Sequence, residues 1–426
     1  MTALRATRRT VLAGSLAGLA ASVPPGPAGT AAAPAAATAA GLLSALTTLR
    51  LDVGPLPHVT DGPASSLDLD GALIVAPSGA LTWYFANLGL GFAARHLPLA
   101  DLETVVLPHL EAYLRNLTPD LIALDVVFPT WAGPMTPTSW TRPARDRDSD
   151  DSYAATAVSL AARALRRLVA SPAHRDPALA WWDAHGATLT AVAQADLVAQ
   201  IKPNDLTSTF RRDLPVPEFV GSRAEASIGY LMDNAEVHRG LVDLAGLLTT
   251  VRGLGASADD PARFERAAAR VGRGIGRLYD GRARVYRPAD ADRPFSDTPH
   301  DERTSFYPWV TAQVFPSLMQ VGGEARRAGD AWRFVDAHAP RWSRWPNGAD
   351  PGRPDAYPWS LLALAAVRRA RAIRHHRPAE AARLARQSRR LVDAVRRALT
   401  DRREVVTVNE LGASWAAAVE LHRDGW

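Results

Sequence analysis

Alanine- and leucine-rich helical runs, each introduced by aromatic and polar residues, recur along this chain. Runs of this kind start near Trp83, Tyr153, Tyr230, Tyr307, Tyr357 and Trp415, at steps of 50 to 77 residues. Each step has room for one helix out and one helix back. The triplet Tyr-Pro-Trp occurs twice, 50 residues apart, and is the clearest internal repeat.

The helices between these starts have a different pattern. Residues 378–399, for example, place apolar positions at helical spacing among arginines, which is typical of a helix with one solvated face. The alternation predicts an all-α fold, an (α/α)6 toroid with six inner and six outer helices in one domain over residues 34–426. The predicted inner helices are 83–95, 151–169, 234–251, 305–320, 355–374 and 408–422, with no convincing sheet.

One long segment breaks the pattern. Residues 118–147 are rich in proline and contain Trp131 and Trp140. We expect a long loop here that forms one wall of a cleft.

Composition excludes several kinds of site. The chain has no cysteine, which rules out disulfides, thiolate metal sites and cysteine nucleophiles. The net charge is +5, and Lys202 is the single lysine among many arginines. Because no long basic run interleaves with aromatic residues, nucleic-acid binding is not expected. The wealth of arginine beside alanine is attributed to coding bias.

The N-terminus has the pattern of an export signal. Thr7-Arg8-Arg9-Thr10-Val11-Leu12 is similar to a twin-arginine motif, an apolar stretch follows to Val23, and small residues lie around 31–33. Residues 1–33 are therefore predicted to direct secretion through the twin-arginine machinery. A general secretory signal or an uncleaved anchor remains the alternative. No later segment reaches the roughly 20 apolar residues that span a bilayer.

Acidic residues cluster where two predicted inner helices begin. Asp148, Asp150 and Asp151 are more carboxylates than helix capping requires, so the surplus is expected to face a cleft. Asp233 and Glu236 are three residues apart and share one helix face, but they also fit a capping box that accounts for both without chemistry.

With these features the chain resembles the six-hairpin glycosidase superfamily, whose members are α/α toroids of six helical hairpins. The resemblance covers about residues 40–426. It is carried by the helix alternation, by Asp148-Ser149-Asp150-Asp151-Ser152-Tyr153-Ala154-Ala155 and by the Tyr-Pro-Trp starts.

The resemblance implies a carbohydrate partner and hydrolysis by two carboxyl groups, one protonating the leaving oxygen and one activating water. The catalytic candidates are Asp150, Asp151, Asp233 and Glu236. The candidates for binding sugar are Trp83, Tyr84, Trp131, Trp140, Tyr153, Tyr230, His238, Arg239, Tyr307, Trp309, Asp355, Tyr357 and Trp359. Core packing is the alternative for the aromatic residues and capping for Asp355. Glu410 is a further acid at a predicted inner start.

Two other functions stay open on the same fold. One is a glycan-binding or cell-wall-associated protein without activity. The other is a polysaccharide lyase, for which Tyr230, His238 and Arg239 could supply a base and a uronate-binding cation. No metal and no cofactor are expected, since the acidic run at 146–157 lacks the glycine and the glutamate of a calcium loop.

Overall fold

The computed structural model describes residues 35–59, 66–76, 79–133, 135–143, 145–291, 306–344, 360–401 and 406–426. The predicted export signal, Asp355, Tyr357 and Trp359 lie outside these ranges. Twelve helices of more than one turn follow one another in the described residues. In chain order they are α1 (Ala35–Thr47), α2 (Trp83–Ala93), α3 (99–115), α4 (Asp150–Ala170), α5 (175–198), α6 (Leu231–Gly253), α7 (Pro261–Leu278), α8 (306–318), α9 (324–338), α10 (Ser360–Ile373), α11 (Pro378–Asp401) and α12 (Val408–Arg423).

The even-numbered helices form a closed inner ring. Each contacts the next, in the order α2, α4, α6, α8, α10 and α12, and α12 returns to contact α2. The odd-numbered helices pack outside them: α1 lies against α12, α7 against α6, and α11 against α10 and α12. The predicted (α/α)6 toroid is therefore confirmed, with the inner and outer helices in the predicted places.

Inner helices are apolar because neighbours surround them on every side. Every residue of α2 is buried, as are most of α4 and α12. Alanine and glycine at these positions let helices approach closely. Among the described residues, no helix is both long enough and apolar enough to cross a bilayer.

Two glycines close the ring between α2 and α12. A Cβ at Gly89 would lie 2.6 Å from the carbonyl oxygen of Val408, and one at Gly412 would collide with the backbone of Gly89. Because no side chain fits between the two backbones, this contact requires glycine at both positions.

The described residues also contain seven short strands that were not predicted. They are β1 (Leu56–Pro57), β2 (Ser66–Leu67), β3 (Ala80–Leu81), β4 (Val126–Gly133), β5 (Thr136–Thr141), β6 (Tyr279–Asp280) and β7 (Val285–Tyr286). Strands β4 and β5 lie in residues 118–147, where a long loop was expected, and form an antiparallel sheet with β3, so that expectation is wrong. The prolines of this segment pointed to a loop, but its threonine and valine residues pair across strands, as Thr130 does with Thr138 at 2.7 Å.

The inner helices begin with backbone N–H groups bonded to distant parts of the chain. The N–H of Asp150 bonds to the carbonyl of Thr209, that of Leu231 to Pro288, and that of Val408 to Val75. None of these three helices has a side-chain cap of its own. Long-range partners therefore fix where each inner helix starts and tie the connecting segments to one end of the ring.

Candidate functional site

The N-termini of the inner helices all lie at one end of the toroid, because every outer helix returns the chain to that end. We call this end the mouth. Free N–H groups and the positive ends of six helix dipoles favour carboxylates there. The predicted acidic residues Asp150, Asp151, Asp233 and Glu236 all lie in the first two turns of α4 or α6 and are buried.

Asp151 is fully buried and accepts several hydrogen bonds. The hydroxyl of Thr207 donates to it at 2.7 Å, that of Ser149 at 2.9 Å, and the backbone N–H of Ser152 at 2.8 Å. These donors hold the carboxylate in one orientation at the start of α4.

Asp233 lies beside Asp151. The hydroxyl oxygen of Ser149 is 2.9 Å from Asp151 and 3.4 Å from Oδ2 of Asp233, so one hydroxyl lies between two carboxyl groups of neighbouring inner helices. The capping-box interpretation of Asp233 and Glu236 is wrong. The residue before α6 is Tyr230, and the first N–H of the helix, that of Leu231, bonds to Pro288, so both acids lie inside the helix.

Glu236 lies one turn further into the ring. The hydroxyl of Tyr84 on α2 donates to its Oε1 at 2.8 Å. Glu236 also lines a small pocket together with Asn87, Thr156 and Arg239. Glu236 lies deeper than Asp233, because it comes later in α6 and this helix runs away from the mouth.

Asp150 has the contacts of a structural anchor. Its carboxylate accepts from Arg147 Nε at 2.8 Å and from the backbone N–H of Arg211 at 2.7 Å. It therefore ties α4 to the segments that precede α4 and follow α5.

Asp125 is a buried carboxyl group that the sequence did not suggest. Tyr153 donates its hydroxyl to it at 2.7 Å and Trp83 its backbone N–H at 3.3 Å. Burial raises the pKa of Asp125 well above its ordinary value, the hydrogen bond from Tyr153 opposes this, and the charge of Asp148 adds to it. Asp125 precedes β4 as a single acid among apolar residues, and no local pattern marks it.

Glu410 lies in the first turn of α12, on the other side of the ring. Its carboxylate accepts the backbone N–H of Ser360 at 3.1 Å and the Ser360 hydroxyl, which in turn accepts from Ser414 at 2.8 Å. The side-chain amide of the neighbouring Asn409 is buried and has no hydrogen-bond partner in the described part of the protein. Such an orphan amide at the mouth is suited to a ligand.

Asp233 and Glu410 belong to opposite helices. Helix α6 is the third of the inner ring and α12 the sixth, so half of the ring separates them in either direction. Each carboxyl group is reached by a serine hydroxyl from the start of a neighbouring inner helix, Ser149 before α4 and Ser360 in α10. One buried carboxyl group thus lies near the start of each of these two opposite helices.

His238 and Arg239 do not lie beside these acids. His238 faces the outer helix α7, where a Cβ at Gly272 would be 3.4 Å from its ring, and burial lowers its pKa to about 4. Arg239 bonds to Asp243 at 2.8 Å and to Gln320 at 2.9 Å, deeper in the ring.

The expected aromatic residues divide between packing and mouth positions. Tyr84 and Tyr153 stack with ring centroids 5.8 Å apart. Trp83 and Trp140 are buried and donate their indole N–H groups to the carbonyls of Leu124 and Leu56. Tyr230, Trp131 and Trp309 are half-buried. Tyr307 lies in α8, but its side chain, like Asp355, Tyr357 and Trp359, is outside the described residues.

No group of three or more potential metal ligands occurs among the described residues. No protein-family model matches the chain, and no curated protein sequence is detectably similar to it.

Solved structures of similar shape do exist. An unsaturated glucuronyl hydrolase specific for heparin has a TM-score of 0.50 and 8% sequence identity, over 92% of this chain and 96% of that one. This chain has the fold of the six-hairpin glycosidase superfamily. Two further six-hairpin proteins are similar: the GH63 mannosylglycerate hydrolase from Thermus thermophilus in complex with glucose (TM-score 0.48, 17% identity, 92% of this chain and 100% of that one) and the rhamnosidase from Klebsiella oxytoca with rhamnose bound (TM-score 0.44, 12% identity, 80% and 58%).

Proposed function

We propose that this protein is a glycoside hydrolase whose acid and base are Asp233 and Glu410. The observation that carries the proposal is the placement of one buried carboxyl group on each of two opposite inner helices at the mouth. Hydrolysis with inversion needs two carboxyl groups that face each other across a space large enough for the sugar bond and a water molecule. The glucuronyl hydrolase of the same fold acts on a carbohydrate, which is consistent with this reaction class.

The surroundings of the pair suit sugar binding. The orphan amide of Asn409 can bond to a sugar hydroxyl, and the half-buried Tyr230 and Trp309 provide apolar surface at the inner-helix starts. The hydroxyl of Ser149, shared with Asp151, lies 3.4 Å from Asp233, and Ser360 orients Glu410. Asp150 is left out of the chemistry because Arg147 and Arg211 occupy its oxygens.

The test is turnover of a panel of aryl glycosides and oligosaccharides by the purified protein and by Asp233→Asn and Glu410→Gln. We expect each substitution to lower kcat by about 100- to 10,000-fold. Asp336→Asn is the matched control, because Asp336 pairs with Arg383 on the outer helices. Unchanged turnover in both mouth variants would contradict the assignment.

The same variants separate the acid from the base. Removing the acid slows substrates with poor leaving groups most, and an activated aryl leaving group restores part of the rate. In the variant that lacks the base, added azide restores part of the rate instead. Sugar binding without turnover by the native protein would favour the glycan-binding alternative. The lyase alternative has no support from His238 and Arg239, which lie away from the mouth acids.

We also propose that the protein is exported by the twin-arginine machinery and acts outside the cytoplasm. Arg8 and Arg9, followed by the apolar stretch to Val23, support this. Fractionation of cells that express the full chain and its Arg8→Lys/Arg9→Lys variant tests it. The native chain should appear outside the cytoplasm and the variant inside, and equal export of both would contradict this route.

A further inference from the structure

Four arginines on the outer helix α11 are exposed and have no acidic partner among the described residues. They are Arg386, Arg389, Arg390 and Arg397, and we call them the α11 arginine surface. Other arginines of this hairpin are paired: Arg377 with Glu380 at 3.3 Å and Arg383 with Asp336 at 2.8 Å. Within the described part of the chain, the four have neither an ion pair nor a hydrogen bond of their side chains.

The outer helix α7 gives a comparison in which the arginines are paired. It carries a similar row of five, and each lies within 4 Å of an aspartate. The pairs are Arg263 with Asp259, Arg266 with Asp260, and Arg270, Arg273 and Arg277 with Asp205. Coding bias supplies arginine to both helices, so it does not explain why only the α7 row has its acids.

Positive charge is concentrated on the α10–α11 hairpin. Residues 374–397 contain eight arginines and two acids, whereas the whole chain has a net charge of only +5. One of the two acids, Asp393, is half-buried on α11 and forms no ion pair with the α11 arginine surface in the described structure.

The α11 arginine surface follows the outer wall of the toroid. Residues 386, 390 and 397 fall on one side of the helix at its 3.6-residue period, and they span about 16 Å along its axis. Helix α10 starts at the mouth, so α11, which returns antiparallel to it, runs back toward the mouth. The row of charges therefore points along the wall to the end where the carboxyl groups lie.

We propose that the α11 arginine surface binds a linear anionic polysaccharide that carries carboxylate or sulfate groups. Guanidinium groups bond such oxyanions in a bidentate manner and are more weakly hydrated than ammonium groups. A single row of charges fits one extended chain, whereas a duplex nucleic acid presents two backbones over a wider surface. This binding does not require that the mouth carboxyl groups be catalytic.

The experiment measures affinity of the purified protein for polygalacturonate and for heparin oligosaccharides at low ionic strength. Arg389→Gln/Arg390→Gln should weaken both affinities by roughly three- to tenfold, because each exposed ion pair contributes little. Arg266→Gln/Arg273→Gln removes the same charge from α7 and should leave affinity unchanged. Asp393→Asn should strengthen binding, and added salt should weaken it in the native protein.

Several results would overturn the proposal. An equal loss of affinity in the two double variants would show that the net charge of the protein alone determines binding. Binding of neutral dextran as strong as that of polygalacturonate, or tighter binding of duplex DNA than of either glycan, would show a different ligand. If the native protein binds neither anionic glycan, the α11 arginine surface is solvated and binds no ligand of this class. Turnover of neutral aryl glycosides, measured on the same samples, tests the mouth separately.

Discussion

Ser360, the first residue of α10, donates both its backbone N–H and its hydroxyl to the carboxylate of Glu410 on α12. Because Ser360 and Glu410 are buried, this contact fixes a carboxyl group at the junction of two inner helices. Ser149 stands in a similar relation to Asp233 on the opposite side of the ring. The first two predictions below concern this geometry and the closure of the ring that maintains it.

Ser360→Ala should lower both the kcat and the unfolding free energy of the protein. The substitution removes one donor from a buried carboxylate, which costs about 1–3 kcal/mol of unfolding free energy. Of the two donors on residue 360, only the backbone N–H then still holds the carboxyl group, and misplacement of a reacting group costs up to about 100-fold in kcat. Urea unfolding and steady-state kinetics measure both.

Ser388→Ala is the matched control for that variant. Ser388 is also buried, and its hydroxyl donates to the carbonyl of Ala363 at 2.8 Å between α10 and α11. We expect a loss of about 1 kcal/mol without a change in kcat. If both serine variants lost activity in the same proportion, Ser360 would have no particular role at the site.

Gly412→Ala should destabilise the ring closure. A methyl group there would collide with the backbone of Gly89, and neither backbone can move without shifting a helix. We expect a loss of at least about 1–3 kcal/mol. Gly253→Ala, at the end of α6 with nothing within 4 Å, should change stability by less than about 1 kcal/mol and in the stabilising direction. Equal melting curves for the two variants would contradict the tight contact.

Asp196 should make the protein less stable as the pH rises. Burial raises the pKa of Asp196 to about 8 from its ordinary 3.8, the charge of Asp150 adds to this, and Arg211 opposes it. Between these values the unfolded chain releases a proton that the folded protein keeps. The free energy of unfolding therefore falls by about 1.4 kcal/mol per pH unit from this group and levels off above pH 8.

Asp196→Asn should remove that slope, so that its stability relative to the native protein rises from pH 5 to pH 8. Denaturant unfolding at a series of pH values measures the difference. Asp336→Asn should leave the slope as it is. A native protein whose stability shows the same pH dependence as Asp196→Asn would refute the assignment.

The buried His109 should make the free energy of unfolding fall as the pH is lowered. Its Nδ1 accepts the N–H of Leu73 at 3.1 Å, so the single ring proton is on Nε2, which donates to Oδ1 of Asn87 at 3.0 Å. Burial lowers the pKa of His109 to about 3 from 6.5. Below pH 6.5 the unfolded chain binds a proton that the folded protein does not, which costs about 1.4 kcal/mol per pH unit until about pH 3.

His109→Gln should therefore be destabilised at pH 7 but lose less further stability between pH 6.5 and pH 4 than the native protein. His376→Gln is the control, since His376 is exposed after α10. An unchanged acid slope in His109→Gln would show that another group is responsible.

Local patterns along the chain were sufficient to predict the helices but not the strands. The alternation of alanine-rich and arginine-rich runs predicted which helix is inner and which is outer, because burial on all sides or on one side determines composition. The hairpin of β4 and β5 was missed because its prolines resemble loop punctuation, while its pairing depends on β3, more than 40 residues earlier. Trp140 was consequently expected on a cleft wall and is instead buried against Leu56.

The sequence by itself determined the toroid, since helical periodicity and composition are local properties that each segment carries alone. It also placed carboxylates at inner-helix starts. Only the tertiary structure decided which helices lie opposite each other, because closure of the ring brings α12 beside α2 and places it half a ring away from α6. Contacts between residues far apart in the chain, such as Leu231 with Pro288 and Asp125 with Tyr153, fix the helix starts and the buried carboxyl groups, and no local pattern encodes them.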